Sequence, residues 1–197
     1  MALVIRSALV DDATAMARMG VETYLSAHRD QVPEEVWTKR RDEWSEEESA
    51  RNWARSLQAI ADGSSPYDCI YVAIDETSDE VVGIAMGQPA ADPAPANVGE
   101  INVLYVRESH QRRGLGRRLL QAVAGQLWQL GMPALEIAVL AANAPARRFY
   151  EALGGQVVRA SEIEDSGFML PGVVYGWADT EALVGGGSEQ PQERTHV

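Results

Sequence analysis

A basic turn with two glycines joins an apolar segment to an amphipathic one, and it limits the folds open to this chain more than any other feature. Residues 105–121 read YVRESHQRRGLGRRLLQ and hold five arginines, although the 197-residue chain has a formal net charge of −12. The residues before the turn are apolar and β-branched, whereas apolar residues recur at helical spacing after it. The pattern predicts a strand that runs directly into the N-terminus of a helix.

The chemistry of this turn indicates an anion site. The first N–H groups of a helix lack backbone partners and carry partial positive charge, so they attract phosphate. Gly114 and Gly116 let a ligand approach the backbone because neither has a Cβ. Arginines at this helix end oppose the helix dipole unless an anion neutralises them. A P-loop is excluded because Arg117 and Arg118 follow the last glycine, and a dinucleotide fingerprint is excluded because Leu119 replaces its third glycine.

Two motifs then carry a resemblance to a known family. Residues 111–116, QRRGLG, resemble the pyrophosphate loop of the GCN5-related N-acetyltransferase (GNAT) superfamily. Asn143, followed by ARRFYEALGG, resembles a second segment of that superfamily. The motifs occur in the superfamily's order and together cover about residues 100–155. Gly155 departs from the pattern, which often has an aromatic residue at that place.

The resemblance implies an α/β (α+β) GNAT fold, with a central mixed, mostly antiparallel sheet of about seven strands flanked by helices. It also implies a V-shaped splay between the strand at 100–106 and the strand at 134–140. We expect a single domain over 1–183 and a disordered tail over 184–197, because the tail has too little apolar surface to pack. The spacing of apolar residues predicts helices over 10–28, 32–44, 45–63, 116–131 and 144–155. The second and third of these helices are either separate or continuous. The predicted strands are 2–6, 69–75, 80–89, 99–106, 134–140, 156–162 and 173–179.

The functional residues of the superfamily can be carried over to matching positions. The resemblance implies that backbone groups at 104–106 pair with the pantetheine arm of acetyl-CoA and that the amides of 112–117 hold its pyrophosphate. Asn143 is implied to hydrogen-bond the pantetheine, and Tyr150 to protonate the departing thiolate. The expected cofactor-binding residues are Leu104, Tyr105, Val106, Gln111, Arg112, Arg113, Gly114, Leu115, Gly116, Arg117, Asn143 and Tyr150.

Glu100 is the candidate proton acceptor for the attacking amine. An amine attacks a thioester only as the free base, so a group must take its proton, directly or through water. A glutamate at the matching position is the base in the histone-acetylating branch of the superfamily; the other interpretation of Glu100 is a polar strand end. Regular alternation places residues 100, 102, 104 and 106 on one face of the strand, and a bulge would change that count.

Histidines and aromatic residues outside the motifs have structural interpretations. His110 is expected at the surface beside the loop, and His28 as a cation that suits the dipole at the end of the first helix. The aromatic residues of the N-terminal helices are expected in the core. The alternative interpretation is that one or two of them line an acceptor pocket for a cationic amine beside Glu34 and Glu35. They are Tyr24, Trp37, Trp44 and Trp53, and Tyr175 and Trp177 have the same two interpretations.

The implied function is an N-acetyltransferase that moves the acetyl group of acetyl-CoA to a primary amine of a small molecule by direct attack in a ternary complex. A protein or peptide N-acetyltransferase and a non-catalytic acyl-CoA-binding regulatory module are open alternatives, as is a homodimer. No three residues have metal-ligand spacing, so no metal is expected. The acidic chain argues against nucleic acid, and the lack of about 18 consecutive apolar residues argues against a membrane span. A single cysteine, Cys69, and no signal peptide indicate the cytoplasm.

Overall fold

The structure is a computed structural model that describes residues 2–91 and 97–184. Its described residues contain one seven-stranded sheet in the order β1–β2–β3–β4–β5–β7–β6. β4 and β5 are parallel, and every other neighbouring pair is antiparallel, as predicted. The strands are β1 (Leu3–Ser7), β2 (Cys69–Asp75), β3 (Glu80–Pro89), β4 (Val98–Val106), β5 (Ala134–Leu140), β6 (Gln156–Asp165) and β7 (Phe168–Trp177).

The second and third predicted helices are separate. Trp44 has an extended backbone (φ −86°, ψ 95°), and the hydroxyl of Ser45 accepts a hydrogen bond from the amide of Glu48 at 3.0 Å, which caps a new helix. The helices are α1 (Ala13–His28), α2 (Glu34–Glu43), α3 (Glu46–Ala61), α4 (Leu115–Gln129), α5 (Ala144–Ala152) and α6 (Glu181–Val184), with short 3₁₀ turns at Val10–Asp12 and Glu108–His110. No helix among the described residues is long and apolar enough to cross a membrane.

The last two strands are longer than predicted. A two-residue turn of Ser166 and Gly167, with φ of 54° and 84°, joins β6 to β7, so the acidic segment before it continues the strand. Positive φ at both positions is typical of a tight hairpin, whose twist matches that of its strands. At the C-terminus, α6 extends to Val184, one residue past the predicted domain boundary, and the predicted tail from residue 185 onward lies outside the described residues.

Helices cover both faces of the sheet. α4 packs on one face through Leu119, Val123 and Leu127, and α1 and α3 cover the opposite face with Met16, Met19 and Leu57 among their buried residues. Glycines in β3 and β4 allow α4 to lie close: a Cβ on Gly99 would stand 2.7 Å from the Leu127 side chain. This close packing holds the N-terminus of α4 at the end of β4.

The predicted splay is confirmed. β4 pairs with β5 only over Val98–Ile101, opposite Ala134–Ile137, and the two strands have no pairing beyond that point. On its other edge β4 contains a bulge, because Met86 faces Val103 whereas Gly87 faces Ile101. Asn102 is therefore an extra residue in β4. From this residue onward, the edge of β4 that faces β5 is open to a ligand.

Candidate active site

The open edge of β4 presents alternate peptide groups. The amide of Arg107 donates to the carbonyl of Val82 in β3 at 2.9 Å, and the carbonyl of Tyr105 also points toward β3. The backbone N–H and C=O of one residue point to one edge of a strand, and those of the next residue point to the other edge. The N–H and C=O groups of Leu104 and Val106 therefore face the splay. The expectation that Tyr105 joins them through its backbone is therefore not met. Its side chain lies on the face that carries α1 and α3.

The loop after β4 is held to the strand and bends twice before α4. The side-chain amide of Gln111 donates to the carbonyl of Val106 at 2.9 Å. Arg112 (φ 62°) and Gly114 (φ 77°) are both in the left-handed region, which is costly for arginine and is characteristic of anion-binding loops. The first hydrogen bond of α4 runs from the amide of Arg118 to the carbonyl of Gly114 at 3.1 Å.

The amides of the first turn of α4 are left for a ligand. No described residue accepts a hydrogen bond from the amides of Leu115, Gly116 or Arg117, and no side chain caps the helix. The loop itself is exposed from residue 111 to residue 114. Unpaired amides at the positive end of a helix, beside an exposed loop, form an anion site.

Four of the five arginines around this loop fall into two groups. Arg118 donates to the carbonyl of Leu3 at 3.1 Å, and Arg107 lies 3.5 Å from Glu22 and 3.7 Å from Glu80. These two side chains tie β1, α1 and β3 to the site. Arg112 and Arg117 are exposed, and within residues 2–91 and 97–184 neither forms an ion pair with a carboxylate. Their charges are therefore available to an anion at the loop.

Tyr150 brings a protonated hydroxyl to the splay. Its side chain is only 5% exposed, and its ring packs against Tyr175 and Trp177 at centroid distances of 5.7 and 6.2 Å. The hydroxyl makes no hydrogen bond to a described residue, yet it is not among the fully enclosed unpaired atoms. Burial, and secondarily the neighbouring Tyr105, raises the pKa of Tyr150 above its ordinary value. The phenol thus stays protonated at neutral pH.

Asn143 connects β5 to α5 beside the splay. Its side-chain oxygen accepts a hydrogen bond from the amide of Ala146 at 3.1 Å and caps α5. The side-chain NH₂ of Asn143 makes no hydrogen bond to any residue in the described ranges. The cap holds this NH₂ at the end of β5, where it can donate to a ligand.

Trp177 fills the space left by Gly155. A Cβ on Gly155 would stand 2.6 Å from the indole ring, and the indole nitrogen donates to the carbonyl of Leu153 at 2.9 Å. The aromatic residue that the superfamily often has after its Leu-Gly pair is thus replaced by an aromatic ring from β7. This packing holds the end of α5, and with it Tyr150, against the sheet.

The bulge in β4 changes the face on which Glu100 lies. Gly99 and Ile101 face α4, so Glu100 faces the opposite side, and beyond the bulge Val103 and Tyr105 share that side. Regular alternation, which would group Glu100 with 104 and 106, is therefore wrong here. The half-buried carboxylate of Glu100 has no ion-pair or hydrogen-bond partner in the described part of the chain.

Glu136 is a neighbour that the sequence analysis did not single out. It lies beside Glu100 in the parallel register of β4 and β5, and its carboxylate accepts a hydrogen bond from Arg159 at 2.6 Å. Residues paired in this register point to the same face. The two carboxylates are thus adjacent, and Arg159 neutralises only Glu136.

The aromatic residues of the N-terminal helices hold the protein's own guanidinium groups. Arg40 lies over Tyr24 and Trp44, 5.3 and 4.9 Å from their ring centroids, and Trp37 holds Arg29 and Arg41 at 4.0 and 5.1 Å. Trp53, on α3, is half-buried and packs against the apolar cluster between α1, α3 and the sheet. The expected pocket for a cationic amine is therefore not found at these rings, since arginines already occupy their faces. Glu34 lies 3.7 Å from Arg29, and Glu35 is exposed.

His28 is neutral rather than a cation at the end of α1. Its ring stacks on Tyr24 at 4.3 Å, and its Nδ1 donates to the carbonyl of the same residue at 3.1 Å. Burial, and secondarily the charge of Arg40, lowers the pKa of His28 to about 4. The predicted interaction of a charged His28 with the helix dipole is therefore absent at neutral pH.

His110 is buried, contrary to the expected surface position. It is 8% exposed, and its Nε2 donates to the carboxylate of Asp75 at 3.2 Å, while the hydroxyl of Ser109 donates to its Nδ1 at 2.9 Å. The amide of Thr77, followed by His110, lowers the pKa of Asp75. The pair fastens the turn before the loop at residues 111–114 to the end of β2.

We expect His110→Leu to lower the Tm by roughly 5 °C, because it removes the imidazole that donates a hydrogen bond to the Asp75 carboxylate. His110→Gln is the matched control, since its amide nitrogen can replace Nε2 and should restore about half of this loss. Differential scanning calorimetry measures both. Equal losses in the two variants would contradict a role for the hydrogen bond.

Comparisons with known proteins identify the family. Residues 29–155 match the sequence model described as the acetyltransferase (GNAT) family. The chain is 27% identical over 184 residues to an uncharacterized N-acetyltransferase, YuaI of Bacillus subtilis (strain 168), across 91% of this chain and 95% of YuaI. Its fold is similar to that of the PaiA N-acetyltransferase of Thermoplasma acidophilum in complex with coenzyme A, with a TM-score of 0.66 and 17% identity over 89% of this chain and 98% of PaiA.

A second solved structure of the same fold is YncA of Salmonella typhimurium with acetyl-CoA, with a TM-score of 0.64 and 18% identity over 90% of this chain and 94% of YncA. No cluster of three or more histidine, cysteine, aspartate or glutamate side chains suited to a metal ion occurs in the described ranges. The sheet, its splay and the matched residues agree with the family match. The chain therefore belongs to the acetyltransferase (GNAT) family, a family of acyltransferase enzymes.

Proposed function

We propose that this enzyme transfers the acetyl group of acetyl-CoA to a primary amine of a small molecule by direct attack in a ternary complex. One observation carries the proposal: the open edge of β4 leads into an uncapped helix N-terminus, with the protonated hydroxyl of Tyr150 at the same splay. The bound coenzyme A of PaiA and the acetyl-CoA of YncA support this choice of cofactor.

Each part of the cofactor has a matching group in the chain. The pantetheine arm pairs with the backbone N–H and C=O groups of Leu104 and Val106 that face the splay. The carbonyl of Val106 also accepts a hydrogen bond from the side chain of Gln111. The side-chain NH₂ of Asn143 donates to the same arm. The diphosphate lies at the loop, where the amides of 112–117 and the side chains of Arg112 and Arg117 neutralise it.

The reaction follows from the groups around the thioester. The amine nitrogen attacks the thioester carbonyl, so a C–N bond forms and the C–S bond breaks. Tyr150 gives its proton to the departing thiolate, and Glu100 takes the proton of the amine, directly or through water. Holding both substrates in one geometry supplies most of the rate enhancement.

A contact between α2 and the β6–β7 hairpin favours a small acceptor over a peptide. Arg40 in α2 forms an ion pair with Asp165 at the end of β6 at 2.6 Å. Val36 of α2 and Leu170 of β7 belong to one buried apolar cluster, so the two elements also share a hydrophobic contact. The contact joins α2 to the hairpin. Such a bridge is more compatible with a small acceptor than with a peptide, which needs a channel that is open at both ends.

We expect the purified protein to release thiol from acetyl-CoA when it is supplied with small primary amines. Thiol release is measured with a chromogenic disulfide, and acetyl-CoA binding is measured separately by calorimetry. Release with peptides but not with small amines would support the peptide alternative. Binding of acetyl-CoA without release for any amine or peptide would support the regulatory module. Absence of binding would contradict the proposed function altogether.

A further inference from the structure

Arg40 is held rigidly by groups from three elements. Its Nε and Nη2 donate to one oxygen of Asp165 at 2.8 and 2.6 Å, and the hydroxyl of Tyr24 donates to the other oxygen. The rings of Tyr24 and Trp44 pack against its guanidinium plane. These contacts restrict the guanidinium to one orientation, so its remaining edge has a defined direction.

The remaining edge of Arg40 is unused. Nη1 makes no hydrogen bond to any residue that the structure describes, and it is not one of the enclosed unpaired atoms. The Arg40 side chain is 29% exposed, whereas that of Asp165 is 6% exposed. One edge of the guanidinium therefore binds an internal carboxylate, and the other edge reaches solvent. A second carboxylate could accept a hydrogen bond from that outer edge.

Arg40 lies on the same face of the sheet as Glu100, because it packs on Tyr24 of α1, the helix that covers that face. Burial raises the pKa of Tyr105, and the nearby charge of Arg40 counteracts part of that rise. Tyr105 in turn contributes to the raised pKa of Tyr150. Tyr105 therefore lies near both groups, on the same face of β4 as Glu100. Arg40 and the carboxylate of Glu100 thus lie on one face of the sheet.

We propose that the acceptor is a small amine that also carries a carboxylate, and that Nη1 of Arg40 binds this carboxylate while the amino group faces Glu100 and the thioester. The inference rests on the proposed function, because it concerns the acceptor of that reaction. The charges support it: the aromatic faces that could bind a cationic substrate are covered by Arg29, Arg40 and Arg41. A charge-assisted hydrogen bond to a preoriented guanidinium favours a carboxylate over a neutral group of the same size.

The test compares matched acceptors and one conservative variant. Amino acids of increasing chain length are compared with their carboxamides and with diamines of the same length, in the presence of acetyl-CoA. We expect the wild-type kcat/KM for the preferred amino acid to exceed that for its carboxamide at least about 10-fold. Arg40→Lys keeps a positive charge for Asp165 but removes the second edge. It should raise the KM for the amino acid about 10-fold, with little change for the carboxamide or in the Kd for acetyl-CoA.

Two further variants separate recognition from folding. Arg41→Lys changes a neighbouring arginine that contacts Trp37 and Asp42, and its kinetics should match those of the wild type. The double variant Arg40→Met with Asp165→Asn removes both charges, so neither is left buried alone. It should keep carboxamide turnover and lose the preference for the carboxylate.

Each outcome decides a different point. A wild-type preference for carboxamides or diamines would overturn the inference and leave the proposed function intact. Equal losses for both acceptors in Arg40→Lys would likewise overturn it. If acetyl-CoA binds and neither class of amine releases thiol, the small-molecule function fails, and the carboxylate inference fails with it.

Discussion

Tyr150→Phe is expected to lower kcat about 100-fold or more, because it removes the only proton donor that we place at the departing thiolate. The Kd for acetyl-CoA should change little, since the phenol oxygen makes no hydrogen bond to a described residue and the ring is retained. For the same reason the Tm should match that of the wild type. The expected result is a kcat lower by about 100-fold or more, with a Kd for acetyl-CoA that calorimetry finds unchanged.

The pH dependence provides a second check on Tyr150. A general acid acts only while protonated, and burial raises the pKa of Tyr150 above its ordinary value. The kcat of the wild type should therefore not fall through deprotonation of Tyr150 below about pH 10, the ordinary pKa of tyrosine.

Tyr175→Phe is the matched control for Tyr150→Phe. The Tyr175 hydroxyl donates a hydrogen bond to Glu151 on α5 at 2.6 Å and is not assigned to the reaction. Normal kcat in Tyr150→Phe would refute the proton-donor role.

Gly116→Asp is expected to raise the Kd for acetyl-CoA at least about 100-fold, as measured by calorimetry. Two unit charges about 4 Å apart near a protein surface repel by about 4 kcal/mol, and each 1.4 kcal/mol is a factor of about 10 in Kd. The new carboxylate would also accept hydrogen bonds from the amides that we assign to the diphosphate. The fold should tolerate the change, because a Cβ at 116 would lie an ordinary 3.4 Å from the ring of Phe149.

Two substitutions at the same position separate charge from bulk. Gly116→Asn has nearly the shape of the aspartate without its charge, and Gly116→Ala adds only the Cβ. We expect both to bind acetyl-CoA more tightly than Gly116→Asp, while an acidic residue in the first turn leaves α4 stable. Equal affinities for the aspartate and asparagine variants would show that no phosphate binds at this turn.

The conformation of the loop before α4 could be predicted from local sequence because its parts lie close together in the chain. A strand, two glycines and an amphipathic helix within residues 99–131 leave few conformations for the turn between them. The structure agrees, with a left-handed Gly114 and α4 beginning at Leu115. The positions of Asn143 and Tyr150 also follow from one short helix that begins after β5.

Residues whose surroundings come from distant parts of the chain were predicted poorly. The face of Glu100 depends on a bulge that appears only when β4 pairs with β3. His110 is buried because Asp75, 35 residues earlier, reaches its imidazole. Asp165 lies 125 residues after Arg40, and no local pattern marks either as part of a site. The surface position predicted for His110 was therefore wrong. For β4 the bulged form is present instead of the regular one, and arginines cover the aromatic faces of the alternative pocket.

The sequence by itself determined the family, the order of strands and helices along the chain, and the position of a loop suited to a diphosphate. These features follow from apolar spacing, glycine positions and charge within short segments, where chain connectivity limits the geometry. Only the tertiary structure decided which face carries Glu100 and which charges meet on the acceptor side. The physical reason is that strand pairing and helix packing bring together side chains far apart in the sequence, and burial then makes their pairing obligatory.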